Sequence, residues 1–390
     1  GLAENGIHLL TWEQLSDDER RQANTHFLEN VFPVLTPQSV DHSHPFPFMS
    51  NLSVSLAVGL KNPFTDEKLF ARVKVPKLLP QWISLESSDR QRRYVSLRSI
   101  IFHNLSRLFP GMIVQNVMML RVTRSANIDY EEDIHDDLLE LVTEEIRQRR
   151  LQRVVRLEHS ATSDRWLLDT VVEQLDLLPD QVYEMPDDYD YVDFSQIAAL
   201  KISKLRYPPW TSIVPPGLAG DAADIFALIR ASDMMVHHPF ESFDASVARF
   251  VRAAVDDENV LAIKMAIYRT GDDNPFLPLL IQAAEQGKQV ACLVELKARF
   301  DEHRNVRWAN ALEDAGVHVV YGLIGFKTHT KTTIVVRREP DGLRSYVHIG
   351  SGNYNFQTSK IYTDLGLFTC RPEITDDVVE LFHSLTGRSV

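Results

Sequence analysis

The sequence has very little cysteine: Cys292 and Cys370 are the two thiols among 390 residues. So few exclude a disulfide scaffold or a cysteine-rich metal site, and they fit a reducing cytosol, which is the expected location. Basic charge is also short, with 41 lysines and arginines against 54 aspartates and glutamates and a formal net charge of −13. Such a surface does not attract DNA, RNA or anionic lipid as a whole, so no nucleic-acid partner is expected. A polyanionic substrate would need a local basic pocket. No apolar run reaches about 18 residues and no signal-peptide pattern is present, which predicts a soluble chain. P-loop, Gly-x-Gly-x-x-Gly and zinc-ligand spacings are missing, as are tandem repeats and low-complexity tracts.

What remains is ordinary for a folded protein, with 44% hydrophobic and 24% charged residues. The length predicts two or three domains. The chain opens on Gly1-Leu2-Ala3-Glu4 rather than Met, so a piece of a longer protein is expected. Clustered Pro and Gly from Pro208-Pro209-Trp210 to Pro215-Pro216-Gly217 mark the clearest boundary, giving domains at 1–207 and 208–390. Met185-Pro186-Asp187-Asp188-Tyr189-Asp190-Tyr191 reads as a second linker.

The first half reads as α+β. Ser16-Asp17-Asp18-Glu19 is a capping box opening a helix that should end before Pro33. Asn51 to Leu60 alternates like a half-buried strand, and Leu69 to Val75 would pair with it across Asn62-Pro63. Glu132 to Arg150 keeps helical spacing, with acids at its start and arginines at its end. The second half alternates. Helices are expected over Asp244 to Val255, Leu277 to Gln286, Asn305 to Asp314 and Ile374 to Leu385. Strands are expected over Val260 to Tyr268, Val290 to Leu296, Val317 to Tyr321, Thr330 to Arg337, Arg344 to Ile349 and Thr363 to Thr369. Short apolar strands between amphipathic helices imply an α/β domain whose mixed sheet is covered by helices on both faces.

Chemistry concentrates in Lys327-Thr328-His329-Thr330-Lys331 and Gly350-Ser351-Gly352-Asn353. On a strand, His329 and Lys331 would share a face. A neutral imidazole beside a fixed ammonium suits attack on phosphorus, the nitrogen as nucleophile and the lysine offsetting charge on the phosphoryl oxygens. Small residues let backbone N–H groups approach a phosphate, and Asn353 adds an amide donor. Taken alone, His-x-Lys far more often describes a strand with one polar face, and the glycine-asparagine cluster is what shifts the balance toward chemistry. Arg269 and Arg299 end successive strands, where ligands collect in open α/β sheets, and a phosphate chain with magnesium would want two such clamps. An ion pair of Arg299 with Asp301 or Glu302 explains that residue as well. His237-His238 reads as pocket wall or loop, Asp272 and Asp273 as solvated, and the arginines between Arg147 and Arg156 as a helix end.

Several blocks together resemble the first-type bacterial polyphosphate kinases. They are Phe32-Pro33-Val34-Leu35-Thr36-Pro37, His44-Pro45-Phe46-Pro47-Phe48, Arg121-Val122-Thr123-Arg124, Ile267-Tyr268-Arg269, Val294 to Glu302, Lys327 to Lys331, His348 to Asn355 and Tyr362-Thr363-Asp364. The resemblance spans nearly the whole chain in order. It implies a middle domain followed by the first of two phospholipase D-like catalytic halves, with an N-terminal helical domain and the second half lying outside this chain. It implies reversible transfer of the terminal phosphate of ATP to polyphosphate through a phosphohistidine. His329 would be the phosphorylated residue, Lys331 its support, and Arg269 and Arg299 the magnesium–phosphate site, acting through phosphate oxygens because arginine has no lone pair for a metal. Tyr362 would contact the nucleotide, ATP or ADP, with Asn353 and Asp364 supporting. It further implies a cytosolic homo-oligomer able to touch a membrane, and a piece that is inactive by itself. Two other readings stay open. A phospholipase D-type phosphodiesterase would want an aspartate where this chain has Val336, and a non-catalytic anion-binding or assembly module would leave His329 structural.

Overall fold

The computed structural model describes residues 1–40, 45–87, 91–125, 143, 152–161, 164–185, 190–220, 224–269, 271, 274–296, 302–321 and 327–387. Among the described residues, one compact unit comprises residues 1–125 and 152–207, and the other comprises residues 208–387 together with Thr143.

In the first unit, strands β1 (Ile7–Leu10), β5 (Trp82–Leu85) and β6 (Arg92–Ser96) form a small sheet in the order β1-β6-β5. A larger sheet contains β2 (Gln38–Val40), β3 (Val54–Lys61), β4 (Lys68–Lys74), β7 (Ile113–Arg124), β8 (Val154–Ser160) and β9 (Val182–Met185), in the order β2-β4-β3-β7-β8-β9. β3 pairs with β4 as expected, but it is not half-buried: Val54 to Leu60 are all inaccessible. Its alternating small residues, Ser55, Ala57 and Gly59, permit cover on both faces. Leu56, Val58 and Leu60 meet Phe27, Val31 and Ile100 on one side, and Ala57 shares the other with Leu167 and Val171 of the helix Arg165–Gln174. The capping box is formed at Ser16 and Glu19, and its α-helix runs Asp17–His26. The α-helix ends before Pro33 as expected, and a wider turn then leads into a 3-10 turn holding Pro33 near its start, where a missing N–H costs nothing. The helix expected from Glu132 to Arg150 falls outside the described residues, Thr143 excepted.

The second unit is built on one seven-stranded mixed sheet, ordered β10-β16-β15-β14-β11-β12-β13. Its strands are β10 (Met234–His238), β11 (Val260–Ile267), β12 (Gln289–Val294), β13 (His318–Tyr321), β14 (Thr332–Glu339), β15 (Gly342–Gly350) and β16 (Asp364–Thr369). β11, β12 and β13 run parallel, and the other pairings are antiparallel. Ile263, Met265, Val335, Tyr346 and Phe368 pack with the helices Ile225–Ala231, Arg249–Asp256 and Phe276–Glu285, while Ala266, Leu293, Ile334 and Val347 pack with Val378 and Phe382 of the helix Pro372–Gly387. Covering both faces is what lets nearly uninterrupted apolar strands exist in water.

The pairing directions decide where function can sit. β11 and β14 are antiparallel, so the end of β11 lies beside the start of β14, where Met265 faces Thr333. The start of β14 in turn meets the end of β15, Thr332 facing Ile349, and Gly350 of β15 faces Gly366 of β16. Tyr268-Arg269, residues 327–331, the Gly350–Asn353 turn and Asp364 are thereby gathered at one end of the sheet.

Candidate functional site

Tyr268, the first residue after β11, is 8% exposed and forms the middle of the site. His329 meets its ring edge-on, with centroids 5.2 Å apart and planes at 75°. The ammonium groups of Lys331 and Lys327 lie 5.1 and 5.3 Å from the Tyr268 centroid, and the guanidinium carbon of Arg269 lies 5.5 Å away. An aromatic face attracts each of these cations and lets them gather around one imidazole. Asn305 holds this end of the sheet in place, its amide donating to the Tyr268 carbonyl at 2.9 Å and to the Glu295 carbonyl at 2.8 Å. The carboxylate of Glu295 accepts the Thr328 N–H at 2.8 Å, which anchors the segment carrying His329.

His329 and Lys331 come together by a different route from the one the sequence suggests. β14 begins at Thr332, so neither residue is on the strand. Lys331 instead turns back and donates from Nζ to the His329 carbonyl at 2.5 Å. The reason is burial: Lys331 is 4% exposed, and a buried ammonium must find acceptors. Burial lowers its pKa, and the Asp364 carboxylate opposes that shift. His329 itself is exposed. The Lys331 ammonium is the main cause of its lowered pKa, followed by burial, then Lys327 and Arg269. The result is a solvent-facing, neutral imidazole surrounded by fixed positive charge.

The Gly350–Asn353 turn is tied to both neighbours. The Gly350 N–H donates to the Lys331 carbonyl at 2.8 Å, and the Ser351 N–H to the Leu365 carbonyl at 2.9 Å. The Ser351 hydroxyl donates to Asp364 at 2.8 Å and accepts the Leu365 N–H at 3.0 Å. Gly352 is required here, because a Cβ would lie 2.4 Å from a carboxylate oxygen of Asp364. Tyr362 is 61% exposed on the stretch entering β16. Asn353 lines a small cavity with His238 and His348. Arg299, Asp272, Asp273 and Arg147 lie outside the described residues.

His237-His238 does not form a loop. Both belong to β10, with His238 paired to Asp364 and His237 edge-on to Phe240 at 4.8 Å. Tyr268, Lys327 and Glu295 went unassigned in the sequence reading, although a tyrosine and arginine directly after an apolar strand were the available signal. Among the described residues, no group of three or more His, Cys, Asp and Glu side chains is placed to hold a metal ion. Arg269 has no lone pair to offer, so these residues do not fit a magnesium held by the protein alone.

Two family descriptions cover most of the chain. Polyphosphate kinase middle domain matches residues 18–197, and polyphosphate kinase C-terminal domain 1 matches residues 224–390. The polyphosphate kinase of a Synechocystis strain is 48% identical across 100% of this chain and 57% of its own length. The polyphosphate kinase of Mycolicibacterium gilvum is 46% identical across 100% of this chain and 54% of its own length. The crystal structure of polyphosphate kinase from Porphyromonas gingivalis aligns with a TM-score of 0.78 and 27% identity, covering 98% of this chain and 56% of that one. The chain thus spans about half the length of the curated relatives it matches.

Proposed function

Because the chain belongs to the polyphosphate kinase family, we propose that it carries the phosphate-accepting part of an ATP:polyphosphate phosphotransferase. A nitrogen of neutral His329 attacks the terminal phosphorus of ATP, the bond to the ADP oxygen breaks, and a phosphohistidine results. The terminal oxygen of a polyphosphate chain then displaces the imidazole, and both steps run in reverse. Lys331, Lys327 and Arg269 take up charge gathering on the phosphoryl oxygens in transit. Arg299 is the second phosphate clamp, and Tyr362 and Asn353 are the nucleotide-side contacts. Any magnesium would come with the nucleotide and supply charge neutralisation, with Arg269 and Arg299 contributing through phosphate oxygens and not as metal ligands. A cytoplasmic homo-oligomer is part of the same reading. Among the described residues, no helix is long and apolar enough to cross a membrane.

The observation that carries the reading is the exposed His329 imidazole edge-on to Tyr268, with Lys331, Lys327 and Arg269 gathered on the same ring. The diesterase alternative is not favoured: Val336, where its aspartate would stand, is on β14 opposite Ala262 and Ser345. The test uses the full-length protein. Wild type and His329→Ala are incubated with magnesium and ATP labelled on the terminal phosphate. Base-stable, acid-labile label is expected in wild type and not in the variant, with polyphosphate synthesis abolished. Synthesis retained in His329→Ala sinks the assignment.

A further inference from the structure

Among the described residues, the buried polar atoms without a hydrogen-bond partner include Nε2 of His238, Nε2 of His348 and Oδ1 of Asn353. All three side chains line one cavity of about 10 Å³, together with Gly350, Gly352 and Asp364. His348 is 2% exposed and His238 4% exposed, and buried polar atoms are costly to leave bare. Neither ring belongs to the cluster around Tyr268, and the transfer described above uses neither.

The surroundings decide which atoms can donate. Nδ1 of His238 lies 2.9 Å from the Glu241 carbonyl, which can only accept, so Nδ1 carries the proton. Burial keeps the ring neutral, and Nε2 is then a lone pair. Nδ1 of His348 lies 2.9 Å from the Tyr354 hydroxyl. With the hydroxyl donating, Nε2 of His348 carries its proton. The amide oxygen of Asn353 accepts. The Asp364 carboxylate and the Ser359 hydroxyl, which also line the cavity, already bond to Ser351 and to the Phe356 carbonyl. The three unpartnered atoms are then one donor and two acceptors, the complement of a single water that accepts once and donates twice, in a space of about one water's size.

We propose that this cavity binds one water, which accepts from His348 and donates to His238 and Asn353, and that His238 is thereby a positioning residue for the Gly350–Asn353 turn. The rings have little room to move otherwise. A Cβ on Gly366 would lie 2.6 Å from His348 Nε2, and one on Gly350 would lie 3.1 Å from its Cε1. With its oxygen engaged, Asn353 has its two amide N–H groups left for a phosphate. This functional part rests on the phosphotransfer reading, whereas the water and the tautomers do not.

Nitrogen-15 imidazole NMR on the 390-residue chain reads the tautomers directly. The expected result is a slowly exchanging Nε2–H on His348 and an Nδ1–H on His238, both rings showing contact with a bound water. A proton on Nδ1 of His348, or no water contact at either ring, overturns the proposal. In the full-length enzyme, His238→Leu should slow His329 labelling about tenfold at an unchanged KM for ATP, and His238→Gln, which keeps an acceptor, should recover most of the loss. Equal impairment in both folded variants would mean packing alone and overturn the positioning role. A wild type without label would overturn the phosphotransfer reading but leave the NMR result standing.

Discussion

At the scale of single residues, the site depends on a buried cation acting on an exposed base. Histidine's ordinary pKa sits close to neutral pH, so a modest positive neighbourhood decides its charge. Lys331 is the largest contributor at His329. Replacing it with methionine, which fills similar space, removes the charge and lets the His329 pKa rise toward the ordinary histidine value. The neutral fraction then disappears at a higher pH, so the acid limb of His329 phosphorylation should move upward in Lys331→Met. Loss of one preorganised charge should also cost about 2–4 kcal/mol in the transfer step. An imidazole NMR titration and a pH series of labelling rates check the two effects separately, and an unmoved His329 titration would refute the electrostatic account. His329, Lys331 and Arg269 were legible as candidates because residue type and order suffice to name them. Tyr268 was not, because its part depends on the distant 327–331 stretch bringing two lysines and His329 to one ring.

At the scale of elements, the strands of the second unit were legible because apolar runs bounded by glycine and charge have few other uses. The expected strand Val260 to Tyr268 is β11 within one residue, and the pair joined at Asp341-Gly342 is β14 and β15. β10 was missed, since Met234–His238 is five residues long and ends on two histidines next to Pro239. The first residues of β14 were misread because alternation cannot distinguish a strand from an extended approach to one.

Two predictions belong to these elements. Gly352→Ala should push Asp364 away and break its bond from Ser351, drawing the carboxylate from Lys331. Transfer should fall about tenfold or more while the melting temperature falls by only a few degrees. Equal activity would mean that the turn has room the structure does not show. The second concerns His348 on β15, whose burial, with a smaller contribution from His238, holds its pKa down to about 3. Unfolded, the ring titrates near 6.5, so below that pH the unfolded chain takes up a proton that the folded chain refuses. Stability therefore falls as pH drops from about 6.5 toward 3, by about 1.4 kcal/mol per unit, or about 2 kcal/mol by pH 5. Urea melts at pH 7 and pH 5 measure this, and identical midpoints would contradict the burial of a neutral ring.

At the scale of the whole chain, the sequence carries a formal charge of −13, whereas the proposed phosphate site gathers cations. The two fields have different ranges. Net repulsion acts at the distances a phosphate chain crosses on approach, whereas Lys327, Lys331 and Arg269 act within a few ångströms of the Tyr268 ring. At about 0.01 M salt the screening length is near 30 Å and the acidic surface is felt far out, while at about 0.1 M it is near 10 Å and most of that repulsion is gone. Further salt then competes with the contacts themselves. The association rate of a short polyphosphate with this chain should therefore rise from about 10 mM to about 100 mM salt and fall beyond, where a purely basic surface would give a steady decline. Stopped-flow binding across that range tests it. Lys327→Ala should lower the whole curve without moving its maximum, because that lysine contributes to the local field and barely to the distant one. A steady decline in wild type from the lowest salt would mean that the local cluster governs approach as well as capture.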